Sequence, residues 1–266
     1  MSATAVSVGP LLRDWRRRRR LSQLDLALDA GVSARHLSFV ETGRSRPSAE
    51  MVLHLAERLE VPLRDRNQLL LAAGYAPRYE QHDYDDPAMA PVRDAVALIL
   101  EGHEPYPAVV VDRAWEMIAG NRAVAMLLEG VDPELLAPPV NVLRLSLHPA
   151  GMAPRIVNLG EWRAHLLERL GRQVAITADP ALRSLLHEVR AYPAPDGGEV
   201  PEASPGIDLA VPLRLRAPGG GELAFIGTVA TFGTAIEVTA SELSIESFFP
   251  ADRATADAVR AYAARL

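Results

Sequence analysis

The strongest constraint on this chain is its punctuation: across residues 10–74, five short apolar stripes of helical period are each bounded by residues that start or stop helices. Pro10 suits a first helical turn, where a missing N–H leaves nothing unpaired. Leu11, Leu12 and Trp15 then lead into the arginine run 16–20. Ser22 with Asp25 matches a capping box. The segment it opens turns Leu26, Ala27 and Ala30 inward and stops at Gly31. Ser33 can cap a third helix with Leu37 and Val40 buried, which Gly43 ends; Ser48 can cap a fourth, striped by Val52, Leu55, Ala56 and Leu59. Pro62 separates a fifth helix over about 64–73. Such a series predicts a compact all-α domain of five helices.

Beyond it, Pro77, the acidic stretch Asp83-Tyr84-Asp85-Asp86 and Pro87 mark a boundary near residue 82. The expected division is 1–82, then 83–107 as linker and connecting helix, then 108–266. Within the linker a helix is expected over 88–101 and a short extended stretch over 104–107. Val109-Val110-Val111 is a strand by composition, and Trp115 to Ile118 pairs with it across a turn at Asp112-Arg113. Asn121 then starts a helix running to about Leu128, and the stretch 140–148 leans to helix. A helix over 161–171 sets Trp162, Leu166 and Leu170 on one face, and Asp179-Pro180 caps another with Leu182, Leu186 and Val189 inward. Alternation of Leu209, Val211, Leu213 and Leu215 predicts a strand over 209–216, followed by a turn at Pro218-Gly219-Gly220-Gly221. The segment 223–232 is apolar on both faces. Leu243, Ile245 and Phe249 alternate along a last strand stopped by Pro250, and a helix follows. Five strands with interspersed helices predict an α+β domain, a small antiparallel sheet with helices on one side.

The 266 residues are 48% hydrophobic and 23% charged, enough for real cores. With no cysteine, disulfides and thiolate metal sites are excluded. No stretch approaches the ~18 continuous apolar residues of a membrane helix. The first arginines follow the few apolar residues rather than precede them, unlike a signal peptide, so a cytoplasmic location is expected. Net charge is −6, but its distribution is uneven. Through His82 there are 13 Arg against 9 acids, a balance of +4; the remainder has 15 Arg against 25 acids, a balance of −10. A basic N-terminal piece joined to an acidic one suits a nucleic-acid reader attached to something that does not touch nucleic acid. All 28 basic residues are Arg, which fits a GC-rich genome.

The series Leu21-Ser22-Gln23, Leu26-Ala27, Gly31-Val32-Ser33, Leu37, Glu41, Gly43 and Pro47-Ser48 resembles the helix-turn-helix of lambda-type repressors, the XRE family. The resemblance covers the whole first domain and implies binding of double-stranded DNA. Gln23, at a helix N-terminus, sits where its amide and the helix dipole can address a phosphate. The third helix would enter the major groove, presenting Ser33, Ala34, Arg35 and His36, with Ser38 and Phe39 on the next turn. Arg35 is either a base reader, bidentate to guanine, or a phosphate contact; His36 is more a phosphate or solvent residue, and Ala34 could meet a thymine methyl. Arg44 and Arg46 can touch phosphate. In this family a glutamate at Glu41 pairs with an arginine of the first helix, by position Arg16, as a structural ion pair. Leu24 and Leu28 depart from the polar pattern of the second helix and form one patch, a candidate interface with the second domain or with a dimer mate.

Residues of about 104–250 resemble the C-terminal ligand-binding domain of MmyB-like transcription regulators. The resemblance is carried by Pro105-Tyr106-Pro107-Ala108, Trp115, Asn121-Arg122, His148-Pro149, Pro154-Arg155-Ile156-Val157-Asn158, Ala191-Tyr192-Pro193, Ala230-Thr231-Phe232-Gly233, and Glu242 through Asp252. It implies a PAS-like fold whose space between sheet and helices holds a small, largely apolar molecule such as a fatty acid. Trp115, Met117, Ile118, Phe225, Val229 and Phe232 are candidate wall residues, although ordinary core would look the same in sequence. Arg144, His148, Arg155 or Asn121 could meet a ligand carboxylate, although Asn121 is better suited to a helix N-cap. Gly227 leaves room for a close approach.

Enzymatic patterns are missing. There is no G-x-S-x-G elbow and no H-E-x-x-H; the seven histidines are scattered; and Pro218 to Gly221 lacks the spacing and lysine of a P-loop. Glu242 and Glu246 share a strand face with nothing to mark an acid–base pair. The reading is a regulator, not an enzyme, with no cofactor or metal, acting as a homodimer on a two-fold operator. A second domain used only for dimerisation or protein contact, or an enzyme domain, are the alternatives.

Overall fold

The computed structural model describes residues 7–193, 211–217 and 220–265. The chain divides into two compact units, residues 1–83 with 233–241, and residues 84–232 with 242–265 and the last residue.

The first unit is helical: α1 (Val8–Arg18), α2 (Gln23–Asp29), α3 (Ala34–Glu41), α4 (Ala49–Arg58) and α5 (Leu63–Ala72). Each serine cap forms. The Ser22 hydroxyl accepts the Asp25 N–H at 3.1 Å while the Asp25 carboxylate accepts the Ser22 N–H at 2.8 Å. Ser33 accepts from His36 N–H and Ser48 from Met51 N–H, satisfying donors the helix cannot pair itself. Gly31 and Gly43 sit at φ +63° and +73°, left-handed positions that stop α2 and α3. Helix α1 starts ahead of Pro10, at Val8, because Val8 is buried and Gly9 lies against the end of α3. A Cβ on Gly9 would stand 2.4 Å from the Val40 carbonyl oxygen. Leu12, Leu26, Leu37, Leu55 and Leu59 close the core.

The second unit contains α6 (Ala90–Gly102), β1 (Ala108–Val111), β2 (Met117–Gly120), α7 (Val124–Leu128), α8 (Val142–Leu147), α9 (Leu159–Thr177), α10 (Pro180–Ala191), β3 (Leu213–Arg216) and β4 (Glu222–Thr231). After β4 the chain passes through α11 (Val238–Ser241), part of the first unit, and returns as β5 (Ser244–Pro250) and α12 (Arg253–Ala263). The strands form one antiparallel sheet in the order β2-β1-β5-β4-β3. Val109, Phe225 and Phe248 face a large core shared with α7 to α10. Val110 and Ile245 face the other way, onto Val96 and Leu100 of α6. Helices therefore lie on both faces of the sheet, not on one.

Several sequence expectations shift. Residues 104–107 form turns, with Glu104 N–H on the Glu101 carbonyl and Tyr106 N–H on that of His103, rather than an extended stretch. Asn121 does not start a helix: α7 begins at Val124 with Ala123 before it. Instead the Asn121 amide accepts the Ala108 N–H at 3.1 Å and donates to the Tyr106 carbonyl at 2.7 Å, bracing the entry to β1. Strand β4 is not apolar-buried on both faces, since everything from Ile226 to Thr231 is exposed. Glu242 precedes β5 and so shares no strand face with Glu246. In β5, Glu246 and Phe248 point to the large core while Phe249 is exposed. Leu209 and the Pro218-Gly219 half of the turn lie outside the described residues, and β3 begins at Leu213.

Candidate functional site

Two places carry chemistry, one in each unit. In the first, α3 buries Leu37 and Val40 and leaves its opposite face open. Arg35 is exposed, with its guanidinium 5.4 Å from the Phe39 ring centroid; Ser33 is exposed, and Ala34, His36, Ser38 and Phe39 are half-buried beside it. The helix is held from behind by Glu41. Its carboxylate accepts Arg16 Nε at 2.7 Å and a second guanidinium nitrogen at 2.8 Å, a bidentate pair with both residues buried. The Gln23 amide also donates to Glu41, at 2.8 Å, so the nominated phosphate anchor is tied into the α1–α3 brace. Burial works against the Glu41 charge, yet the bonds from Arg16 and Gln23 and the charges of Arg16 and Arg13 hold its carboxyl below the ordinary value.

The arginines are divided in use. Arg19 caps the carbonyls of Leu59 and Glu60 at 2.8 Å each, and Arg18 stacks 4.0 Å from the Trp15 ring. Arg46 donates to the Ala73 carbonyl at 3.0 Å and lies over Tyr75, so it serves the fold. Arg17, Arg20 and Arg44 are exposed. Leu24 and Leu28 are 59% and 72% exposed.

In the second unit an apolar cavity of about 60 Å³ opens between the sheet and α7 to α9. Trp115 and Met117 line it together with Met152, Trp162, Leu166 and Phe248. Phe225 is fully buried in the same core without lining the cavity. Ile118 and Phe232 lie on the opposite sheet face, packed against the α6 cluster, because side chains alternate along a strand. Val229 is 50% exposed and borders an outer groove with His165 and Arg169. None of the nominated carboxylate partners lines the cavity. Arg144 is bidentate to Glu188 at 2.7 and 2.8 Å, which with the Tyr192 hydroxyl holds the Glu188 carboxyl down at about 2 against a burial penalty. His148 packs edge-on to Tyr192 and accepts the Ala150 N–H. Arg155 caps the Leu127 and Glu129 carbonyls.

The polar end of the cavity comes from Glu246, which the sequence marked only as no acid–base partner of Glu242, and from Ser146, which it did not single out. Glu246, 9% exposed, is the one charged residue lining it among the described residues. Its Oε1 accepts Arg169 at 2.9 Å. The Arg169 guanidinium lies 4.7 Å from the Trp115 ring centroid, and the Trp115 indole N–H donates to Gln173 at 2.7 Å. Trp115 itself is held at φ +66°, a costly conformation for a bulky residue. The Asp112 carboxylate fixes that turn by accepting the N–H groups of Ala114 and Glu116. Ser146 adds a second polar group, accepting the Trp162 indole N–H at 2.8 Å. The signal for Glu246 was its even position between Ile245 and Phe249, on the face opposite Ile245. No metal-binding cluster of His, Asp or Glu occurs among the described residues.

A five-helix unit with capped α2 and α3, and an antiparallel sheet enclosing an apolar cavity, define the class: a helix-turn-helix protein with a second, ligand-binding domain. Residues 12–65 match the helix-turn-helix family and residues 92–261 match the MmyB-like transcription regulator ligand binding domain. The chain belongs to the MmyB-like transcription regulators. No curated protein matches it. Among solved structures it is similar to one described as an RNA-binding Light-Oxygen-Voltage receptor, at 14% identity and a TM-score of 0.26, covering 94% of this chain and 62% of that one. The chain thus spans less than two thirds of that structure's length. No described helix is long and apolar enough to cross a membrane.

Proposed function

We propose that the protein is a sequence-specific regulator that reads double-stranded DNA with α3 and senses a small, largely apolar molecule in the cavity beside Glu246. The observation that carries this is the open Arg35 face of α3, clamped by the buried Arg16–Glu41 pair, on a chain that also encloses an apolar cavity. Arg35 is the base reader; Ser33, Ala34, His36, Ser38 and Phe39 border it, Arg44 approaches a phosphate, and Gln23 keeps its second amide hydrogen for a phosphate beside the bond to Glu41. Arg46 is left to the fold. Acting as a homodimer in the bacterial cytoplasm, it would read half-sites about one helical turn, roughly 34 Å, apart. The exposed Leu24–Leu28 patch supports a contact with the dimer mate; charging both should weaken association, and unchanged sedimentation would remove that role.

The ligand is compact. A cavity of about 60 Å³ falls well short of the roughly 300–1,000 Å³ of ordinary ligand pockets. A fatty acid, as the family suggests, would need Met117 and Met152 to move aside, which flexible thioether side chains do readily. The carboxylate of Glu246 also disfavours an acid head group at that end of the cavity. Selection of bound duplexes from a random pool tests the DNA half: Arg35→Ala should relax preference at one position and cost about 1–3 kcal/mol, whereas uniform weakening would make Arg35 a phosphate contact. Mass spectrometry of small molecules that co-purify tests the other half. The small cavity favours one second reading, a domain used for protein contact alone, and a protein that purifies empty and takes up no apolar probe would establish it.

A further inference from the structure

The segment 233–241 leaves the sheet at the end of β4 and re-enters it at the start of β5, yet it belongs to the helical unit. Directional bonds hold it there. Val238 donates its N–H to the Glu80 carbonyl at 2.9 Å. One oxygen of the Glu237 carboxylate accepts the His82 N–H at 2.8 Å and the other accepts the Ala240 N–H at 2.6 Å. The Thr239 hydroxyl donates to the His82 carbonyl at 2.6 Å. Val238 is fully buried and α11 packs on α5. The receiving stretch is itself fixed: Asn67 of α5 accepts the N–H groups of Arg78 and Tyr79 at 3.0 Å and donates to the Tyr79 carbonyl at 2.7 Å. Adjacent antiparallel strands can be joined by a loop of ~2–5 residues. This connection is longer than that and is fastened by its own side chains.

Of its two flanking strands, β5 lines the cavity and β4 does not. β5 carries Glu246 and Phe248, and β4 is paired to it in unbroken register from Thr231 opposite Ser244 to Phe225 opposite Pro250. A change inside the cavity that shifts this strand pair pulls on both ends of a segment bonded to the helical unit. We infer that the segment 233–241 is the coupling element through which occupancy of the cavity alters the DNA affinity of the helices. The inference rests on the proposed function of the two sites. A ligand acts only through different affinities for two arrangements, and the inference takes these to be the Glu80–His82 anchor bonded, as seen, and released.

The full chain carrying Leu166→Ala tests this, since the enlarged apolar space can be filled by benzene. Benzene should change the amide exchange rate of Val238 by about fivefold or more, and shift DNA affinity in parallel. Adding Glu237→Ala and Thr239→Val should abolish the DNA response while benzene still binds, followed by its own resonance. Unchanged Val238 exchange with benzene bound would overturn the inference, as would a DNA response that survives the anchor substitutions. Leu166→Val with xenon gives the same readout in a less perturbed core. Val238 exchange is measured without DNA, so a chain that binds no duplex would defeat the proposed function and leave the coupling result standing separately.

Discussion

Glu41 ties three helices of the helical unit together. It joins α1 through Arg16 and the start of α2 through Gln23, from a position at the end of α3. Glu41→Ala would strand a buried guanidinium, so unfolding free energy should drop by about 3–5 kcal/mol, measured by denaturant titration of the full chain. The pH dependence follows from the direction of its shift. The folded-state carboxyl lies below the ordinary value of 4.5, so its contribution is complete above that value and is lost as pH falls through the folded one. The Glu41→Ala chain should therefore show a flatter loss of stability below about pH 4.5 than the parent, and equal slopes would refute the assignment. The Arg16–Glu41 partnership was accessible from sequence because the family pattern names both positions. The Gln23 bond was not, because a glutamine at a helix start serves a phosphate or a neighbouring carboxylate equally well, and only the packing of α2 on α3 decides.

Elements were legible where their determinants are local. A serine hydroxyl needs only the N–H of its own first turn, so the caps at Ser22, Ser33 and Ser48 could be read from neighbours in sequence. Ser33→Ala should lower stability by ~1 kcal/mol and, by fraying the start of α3, weaken DNA binding more than Ser48→Ala does; equal losses in DNA binding would separate the cap from the reading face. Strand faces were less legible. Residues 223–232 look apolar throughout, but burial depends on which helices cover each end, and none covers the stretch from Ile226 to Thr231. Likewise Phe249 drew the eye as the apolar member of β5, whereas Glu246 on the other face is the one that reaches the cavity. Glu246 is tolerable there because Arg169 meets it at 2.9 Å. Arg169→Met keeps the stem and removes the charge. It should destabilise the second unit by about 3 kcal/mol, the low end for breaking a buried pair, while Arg172→Met, whose partner Glu168 is exposed, should cost under ~1 kcal/mol. Thermal unfolding of the two variants makes the comparison.

At the scale of the molecule, charge and connectivity pull in different directions from what a net count suggests. A chain of net charge −6 can hold duplex DNA only if its exposed cations are gathered, and the arginine run supplies fewer than its length implies. Arg16 is buried against Glu41, and Arg19 is bound to the carbonyls after α4. Arg17, Arg20, Arg35 and Arg44 are among the cations left facing solvent and are able to displace counterions. Each phosphate they neutralise should steepen the dependence of log affinity on log salt by about 0.9. Arg17→Gln and Arg44→Gln, measured by salt titration of binding to one duplex, should each flatten the slope by up to that amount and leave folding intact. Arg19→Gln should do the reverse, lowering thermal stability with the slope unchanged, because its guanidinium closes α4 and not a phosphate. A slope insensitive to both Arg17→Gln and Arg44→Gln would mean that the DNA is held from another face of the helical unit, and Arg35 would lose its place as reader.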